Sequence, residues 1–383
     1  MTRFATTELE TLLQRPTRRL LTGQDRRAFA GRRVLITGAG GSIGSALARQ
    51  VAACGPSRLT LVDHSEFNLF QVERELLDRF RSLVVDPVLA DVTRGALLGQ
   101  ACRAARPHVV YHAAAYKHVT MTERAVCAAV AVNVLGTARA LRAARDVGAR
   151  FVLISSDKAA APRSVMGATK RLAELVVTRE ASAAFRPIVV RFGNVLGSSG
   201  SVLTIMRERI RSGRPVPVTD PDATRYFMTA DEAVALVMKT DLLGRGGETY
   251  WLDMGEPVRL GDLVDRLMSL EQAAGHPPVG LEIIGLRPGE KLREELTDQG
   301  LAMCPTRHRR VWVARQARSG DETIARALGR LRRFVATGDA LAALEQMSAV
   351  VPEFVPSADA LSRARGQSLQ VRRASPARAV RTA

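Results

Sequence analysis

The apolar residues of the chain fall into short continuous runs, separated by stretches in which they recur every three to four positions. The first run, Arg33-Val-Leu-Ile-Thr37, predicts a buried strand and follows a basic, helix-prone lead from Glu8 to Leu21. A glycine-rich segment, Gly38-Ala-Gly-Gly-Ser-Ile-Gly44, comes next, then a helical pattern from Ser45 to Ala53. Leu59-Thr-Leu-Val-Asp63 predicts a second strand, Glu66 to Leu83 a helix, and Val84 to Leu89 a third strand running out to Asp91. A fourth strand is expected at Val109-Val-Tyr-His112, a long helix over Ala125 to Val147, and a fifth strand at Phe151-Val-Leu-Ile154. Strands alternating with helices predict an α/β fold built on a doubly wound parallel sheet. Beyond Arg191 the pattern loosens around Gly- and Pro-rich joints at 193–200, 213–217 and 275–289. The expected organisation is a basic extension over 1–30, a sheet domain over 31–192, a smaller lobe of returning segments over 193–355, and a disordered basic tail over 356–383.

Composition narrows the class. With 46% hydrophobic residues the chain can bury a core, and no run approaches the roughly 20 unbroken apolar residues of a membrane span. The first 30 residues carry charge throughout, unlike a secretory signal. The four cysteines form no CxxC pair and the six histidines show no metal-ligand spacing, so neither a disulfide framework nor a metal site is expected. A cytoplasmic protein is the expectation. The net charge of +18 is concentrated: residues 1–33, 302–334 and 361–383 carry +5, +7 and +6, and the remainder is neutral overall. Such edges suit an anionic membrane surface or an acidic partner, or simply solvated faces. No helix-turn-helix, zinc or RNP-type pattern argues for nucleic acid. Only 5 of the 56 basic residues are Lys, and four of these, Lys117, Lys158, Lys170 and Lys291, lie in the motifs that follow. An ammonium can lose its proton where a guanidinium cannot.

The glycine segment sits between a strand and a helix, with the acid Asp63 closing the next strand 25 residues after Gly38. That context is the one a dinucleotide fingerprint requires. Gly38 permits the tight turn, Gly41 lets the backbone approach a pyrophosphate, Gly44 allows close packing, and the helix N-terminus faces the phosphates. Asp63 suits the two adenosine ribose hydroxyls and repels a 2′-phosphate. No Arg follows it, since His64, Ser65 and Glu66 come next, so NAD is favoured over NADP. Ser156, Asp157 and Lys158 follow a strand end, where ligands of α/β folds bind; an acid beside an amine suits β-elimination.

Taken together, Thr37 to Gly44, Asp91-Val92, Ala113-Ala-Ala115, Asn133 and the span Ser155 to Lys170 resemble the extended short-chain dehydrogenase/reductase superfamily. Seven strings in order resemble one branch of it, the UDP-N-acetylglucosamine 4,6-dehydratases of capsular and surface polysaccharide biosynthesis. They are Asp63-His-Ser-Glu-Phe-Asn68, Ala114-Ala-Tyr-Lys-His-Val119, Ser156-Asp-Lys-Ala159, Val165-Met-Gly-Ala-Thr-Lys-Arg171, Arg191-Phe-Gly-Asn-Val-Leu-Gly197, Thr224-Arg-Tyr-Phe-Met-Thr229 and Gly285-Leu-Arg-Pro-Gly-Glu-Lys291.

The resemblance implies a smaller lobe that binds a nucleotide sugar, and a homo-oligomer. It implies NAD contacts from Gly38, Gly41, Ser42, Ile43, Gly44, Asp63, Ser65, Asn68, Asp91, Val92, Ala113, Ala114, Ala115, Asn133, Ser155 and Lys170. It implies a UDP-sugar held by Lys117, Asn194, Val195, Arg225, Arg287 and Glu290. The implied reaction oxidises the sugar at C4, eliminates water across C5 and C6 with Lys158 as base and Asp157 as acid, and returns the hydride to C6. Ser156, Met166 and Lys170 complete the implied catalytic set.

Met166 stands where the superfamily usually carries a proton-shuttling Tyr, a substitution also found in that branch among relatives with an amino-terminal membrane region. Leu12-Leu-Gln-Arg-Pro16 resembles the segment that follows such a region, which this chain is expected to lack. Ala161, Ser164, Thr120 and Thr122 depart from the branch on the sugar side. With Tyr absent, Ser156 or a water near Lys170 is left to take the 4-hydroxyl proton. A UDP-hexose 4-epimerase and a non-catalytic NAD-binding scaffold are the competing readings.

If the basic edges direct the chain to an acidic leaflet, at roughly 1 kcal/mol per basic residue near the surface, it should sediment with anionic vesicles at low salt and be released at high salt. Equal recovery with neutral vesicles would leave arginine solvation as the explanation of the charge.

Overall fold

A computed structural model of the chain describes residues 4–198, 200–295, 302–314 and 321–374. Six strands are β1 (Arg33–Thr37), β2 (Arg58–Asp63), β3 (Val85–Leu89), β4 (Val109–His112), β5 (Arg150–Ile154) and β6 (Ile188–Arg191). They lie parallel in the order 3-2-1-4-5-6, and the strand Thr249–Leu252 continues the parallel run beside β6. Val311–Ala314 and Cys304–Pro305 close the nine-stranded sheet antiparallel. The strand order reverses between β1 and β4, so a crevice opens above the carboxyl ends of those two strands.

Both faces of the sheet are covered, which is why its central strands read as unbroken apolar runs. Successive residues of β1 point to opposite faces. Ile36 packs with Leu47 and Val51 of the helix Ser42–Ala52 and with Val234 and Val237 of Ala230–Leu243. Leu35 packs with Leu98, Leu141 and Val176 from helices on the other side. The lead helix Thr6–Leu13 inserts Leu12 and Leu13 into the smaller lobe, against Leu203, Met206, Leu263 and Leu267. The rest of the lead is tied instead to the helix Ala230–Leu243 on the sheet, where Arg15 pairs with Glu232 at 2.6 Å and Asp25 receives Lys239 at 2.6 Å.

The long helix expected over 125–147 is present as Val126–Asp146, with its centre, Val130–Gly136, widened to a π-helix; two other expectations are corrected. The widening carries Asn133, whose side chain bonds elsewhere instead of facing solvent. By length and composition Val126–Asp146 could cross a membrane, yet most of it is buried in protein. Next, residues 321–355 do not belong to the smaller lobe. The helices Asp321–Thr337 and Ala340–Val350 pack Leu331, Leu344 and Met347 onto Val134, Val165 and Leu172 of the sheet domain. Finally, the expected disordered tail contains the helix Ala358–Ala374, whose Ala360 and Ala364 join that same cluster. The basic tail has few apolar residues of its own, and the apolar surface of the sheet domain orders this helix against it. The rest of the tail, 375–383, lies outside the described residues.

One buried ion pair ties this scaffold together. Arg191, at the end of β6, donates from Nε to Glu174 Oε1 at 2.7 Å, and neither side chain is exposed. Glu174 lies on the helix Val165–Arg179 and also receives Ser155 Oγ and Arg171 Nη1. Burial alone would push this carboxyl up, but the two arginines outweigh it and hold it below its usual range. The Arg191 guanidinium also stacks over the Trp251 ring at 4.9 Å. Removing one partner of such a pair strands the other charge. Glu174→Ala should therefore lose about 3–5 kcal/mol of stability, read as a lower urea midpoint; an unchanged midpoint would contradict this role.

Candidate active site

The turn between β1 and the Ser42–Ala52 helix is shaped by contacts only glycine permits. Gly38 adopts φ +67°, and a Cβ there would lie 2.6 Å from the Ala114 nitrogen. A Cβ on Gly44 would lie 2.0 Å from the Gly38 carbonyl oxygen. The loop is thus pressed onto its own helix and onto Ala113-Ala114 after β4, leaving the helix N-terminus, capped at Gly41, open towards the crevice. Ser42, Ile43, Ala113 and Ala115 line that crevice. Asp63, at the end of β2, accepts the Gly40 N–H at 2.8 Å and the Ser65 N–H at 2.9 Å. Gly40 was not singled out from sequence: a Cβ there would meet Asn68 Cβ at 2.5 Å, so it lets the loop and the acid close together. Asp91 turns back to cap the Thr93 N–H, and Val92 packs against Gly136. These residues run along the ends of β2 and β3, beyond the main cavity. The cradle fits a dinucleotide: the helix N-terminus suits its phosphates and Asp63 its ribose.

At the end of β5 the chain turns through a single 3₁₀ turn, Asp157–Ala159, capped by Ser156. Asp157 is almost wholly buried. Its Oδ1 accepts from Ser156 Oγ at 2.8 Å, Lys158 N at 2.9 Å and Lys158 Nζ at 3.0 Å. Lys158 Nζ also donates to Asn194 Oδ1 at 3.1 Å. A Cβ on Gly167 would lie 2.3 Å from the Lys158 carbonyl oxygen, so the Val165–Arg179 helix presses directly on this turn. The turn leaves through Ala161 at φ +38°, a left-handed conformation that asparagine or glycine accepts more readily than alanine.

Met166 and Lys170 share one face of that helix and both line the cavity. Lys170 donates to the Ile154 carbonyl at 2.6 Å, and burial pulls its ammonium down to about 8, against the upward pull of Glu174. His112 beneath them is buried between Thr37 Oγ1 at 2.7 Å and Thr137 Oγ1 at 3.1 Å. Burial and Lys170 lower it to about 3, so it is neutral and belongs to the core. Asn133 is also fully buried. It binds the Tyr116 N–H at 2.8 Å and donates to Tyr116 O and Thr169 Oγ1, both at 3.0 Å, holding the 113–118 loop to the helix from behind the lining. Ser155 likewise spends its hydroxyl on Glu174.

These walls enclose a cleft of ≈ 1180 Å³, larger than the roughly 300–1,000 Å³ typical of a pocket for one small ligand. Asn194, Val195, Arg225, Arg287 and Glu290 line its outer half, from the smaller lobe. Glu290 and Arg287 close a turn on each other, and burial lowers the Lys117 ammonium, which reaches Ser198 Oγ at 3.3 Å. Sequence reasoning missed Glu294. Its Oε1 lies 3.3 Å from Lys158 Nζ and 3.5 Å from Arg225 Nε. The string ending at Lys291 stopped three residues short of it, and only the fold brings it to the catalytic turn. Among the described residues no cluster of metal-ligating side chains occurs.

Fold and crevice together define an extended short-chain dehydrogenase/reductase of the epimerase–dehydratase type. The structure of Pen from Bacillus thuringiensis matches with a TM-score of 0.68 at 29% identity, covering 76% of this chain and 92% of that one. Residues 34–316 match the polysaccharide biosynthesis protein family, and the chain belongs to it. The capsular polysaccharide biosynthesis protein CapD of Staphylococcus aureus is 42% identical over 296 residues, 76% of this chain but 49% of that protein. The chain thus spans about half the length of that relative. An inverting UDP-N-acetylglucosamine 4,6-dehydratase of Campylobacter jejuni and a UDP-glucose 4-epimerase of Rickettsia canadensis are each 29% identical. Each comparison covers 70% of this chain, against 77% of the dehydratase and 78% of the epimerase.

The purified protein should bind NAD and not NADP in equilibrium dialysis. Hydrogen bonds to a charged group contribute about 1.5–3 kcal/mol, so Asp63→Ala should weaken NAD by at least about tenfold. Equal binding of both nucleotides would refute this reading of Asp63.

Proposed function

We propose that the chain is an NAD-dependent nucleotide-sugar 4,6-dehydratase that converts UDP-N-acetylglucosamine to a UDP-4-keto-6-deoxy sugar for surface polysaccharide. The observation that carries this reading is the Asp157–Lys158 pair, linked at 3.0 Å beside the crevice. Elimination needs an acid and a base together, and this pair supplies both. NAD held by the glycine loop would supply a hydride acceptor and donor within one turnover.

The pair's proton is central. Burial works against the Lys158 ammonium, but Asp157 and Glu294 outweigh it and hold it above the ordinary lysine value. The resting pair is therefore carboxylate and ammonium. Passing one proton along their hydrogen bond yields a neutral amine and a neutral acid, without exchange with solvent. With the sugar oxidised at C4, Lys158 takes the acidified C5 proton while Asp157 protonates the 6-hydroxyl, which leaves as water. Lys158 can then return a proton to C5. Met166 carries no proton to trade. Lys170, four residues on, is the group on that helix face able to release one near neutral pH. Arg287 suits the diphosphate, since a guanidinium fork binds phosphate oxygens in pairs, and Arg225, whose Nη1 and Nε are engaged by Thr224 O, Leu292 O and Glu294, offers it Nη2 and its charge.

Incubation with UDP-N-acetylglucosamine tests the reading by mass. A product lighter by one water is expected, carrying one deuterium at C5 when formed in deuterated water. Lys158→Met and Asp157→Asn should each reduce product by about 10²–10⁴-fold. A product of unchanged mass would make the enzyme an epimerase, and no turnover at all would favour a scaffold.

A further inference from the structure

Glu294 makes and breaks no bond in the reaction above, yet it is the second carboxylate on the Lys158 amine. Its side chain is 4% exposed. Oε1 lies 3.3 Å from Lys158 Nζ and 3.5 Å from Arg225 Nε, and Oε2 is buried with no hydrogen-bond partner among the described residues. A buried carboxylate oxygen left unbonded is costly, and the charge of Glu294 is directed at Lys158 and Arg225.

The segment carrying Glu294 is pinned at several points. A Cβ on Gly289 would lie 2.7 Å from Ser164 Cβ, Lys291 Nζ donates to the Ala160 carbonyl at 3.2 Å, and Thr224 N donates to Leu292 O at 2.9 Å. It is therefore tied both to the turn that bears Lys158 and to the strand that bears Arg225. Arg225 is held by the same segment: its Nη1 donates to Thr224 O at 2.8 Å and Leu292 O at 3.1 Å.

We propose that Glu294 is a positioning residue that holds Lys158 and Arg225 on one oxygen, and by its charge governs how readily Lys158 yields its proton to Asp157. The groups facing the Lys158 ammonium are Asp157 on its own turn, Asn194 and Arg225 from the smaller lobe, and Glu294. Two carboxylates favour the ammonium and one guanidinium opposes it. Because Arg225 shares the Glu294 oxygen, the diphosphate end of the cleft and the amine at the sugar end are linked through a single side chain. The role of this link rests on the dehydratase reading, whereas the charge effect on Lys158 does not.

The test exploits the scarcity of lysine. Protein grown with lysine labelled at Cε gives five signals for five residues, and Lys158→Arg identifies the one from Lys158. In the ligand-free protein, Glu294→Gln should lower the Lys158 titration midpoint by about 1–3 pH units, as loss of an adjacent opposite charge does. Glu294→Asp, which keeps the charge, should remain near wild type, and the other four signals should not move. An unchanged midpoint in Glu294→Gln, or an equal fall in Glu294→Asp, would overturn the proposal. In the dehydration assay the basic limb of the pH–rate profile should move down by the same amount in Glu294→Gln. Failure of dehydration by the wild type would sink the reaction assignment alone, since the titration needs no substrate.

Discussion

The Glu174 carboxylate and the Arg191 guanidinium meet away from water, and the working parts of the cleft are arranged around them. Arg191 ends β6, and Glu174 sits in the helix whose first turns bear Met166 and Lys170. Ser155, which follows β5 two residues before the Asp157–Ala159 turn, bonds to the same carboxylate. One ion pair therefore sets the helix against the ends of two adjacent strands. A charge buried without its partner would cost several kcal/mol, so the helix is held strongly to that position. The distance between Lys170 and the Asp157–Lys158 turn follows from it.

Around this anchor the site is built from close backbone approaches. Gly167 lets the helix touch the Asp157–Ala159 turn, Gly44 lets another helix touch the glycine loop, and Gly289 lets the returning segment touch Ser164. Each approach removes a side chain so that a neighbouring functional group can be brought closer. The result is a cleft with two electrostatic ends: helix N-terminus and Lys170 on the sheet side, Arg225 and Arg287 on the lobe side. Between them the Asp157 carboxylate accepts from the Lys158 ammonium.

Much of this was legible in the chain. Period and glycine spacing identified the parallel strands, the glycine turn and the place of Asp63 at the end of β2, because those features are local: a strand, a tight turn and a helix within about thirty residues. The Asp157–Lys158 pair was legible for the same reason, being adjacent in sequence at a strand end. Asn133 and Ser155 were legible as important, but their bonds face inward, to Tyr116, Thr169 and Glu174. Sequence periodicity cannot say whether a polar residue of a buried helix points at a ligand or at its neighbour.

The sequence by itself determined the first five strands of the sheet, the conformation of the glycine turn and the adjacency of the Asp157–Lys158 pair, since all depend on interactions within a few residues. Only the tertiary structure decided that the lead helix belongs to the smaller lobe and that residues 321–374 cover the sheet domain. It also decided that Glu294 faces Lys158, 136 positions away. Those placements come from burying apolar surface between segments remote in sequence, and that burial has no direction along the chain. A carboxylate carried by such a segment acquires its meaning only when the surfaces have closed.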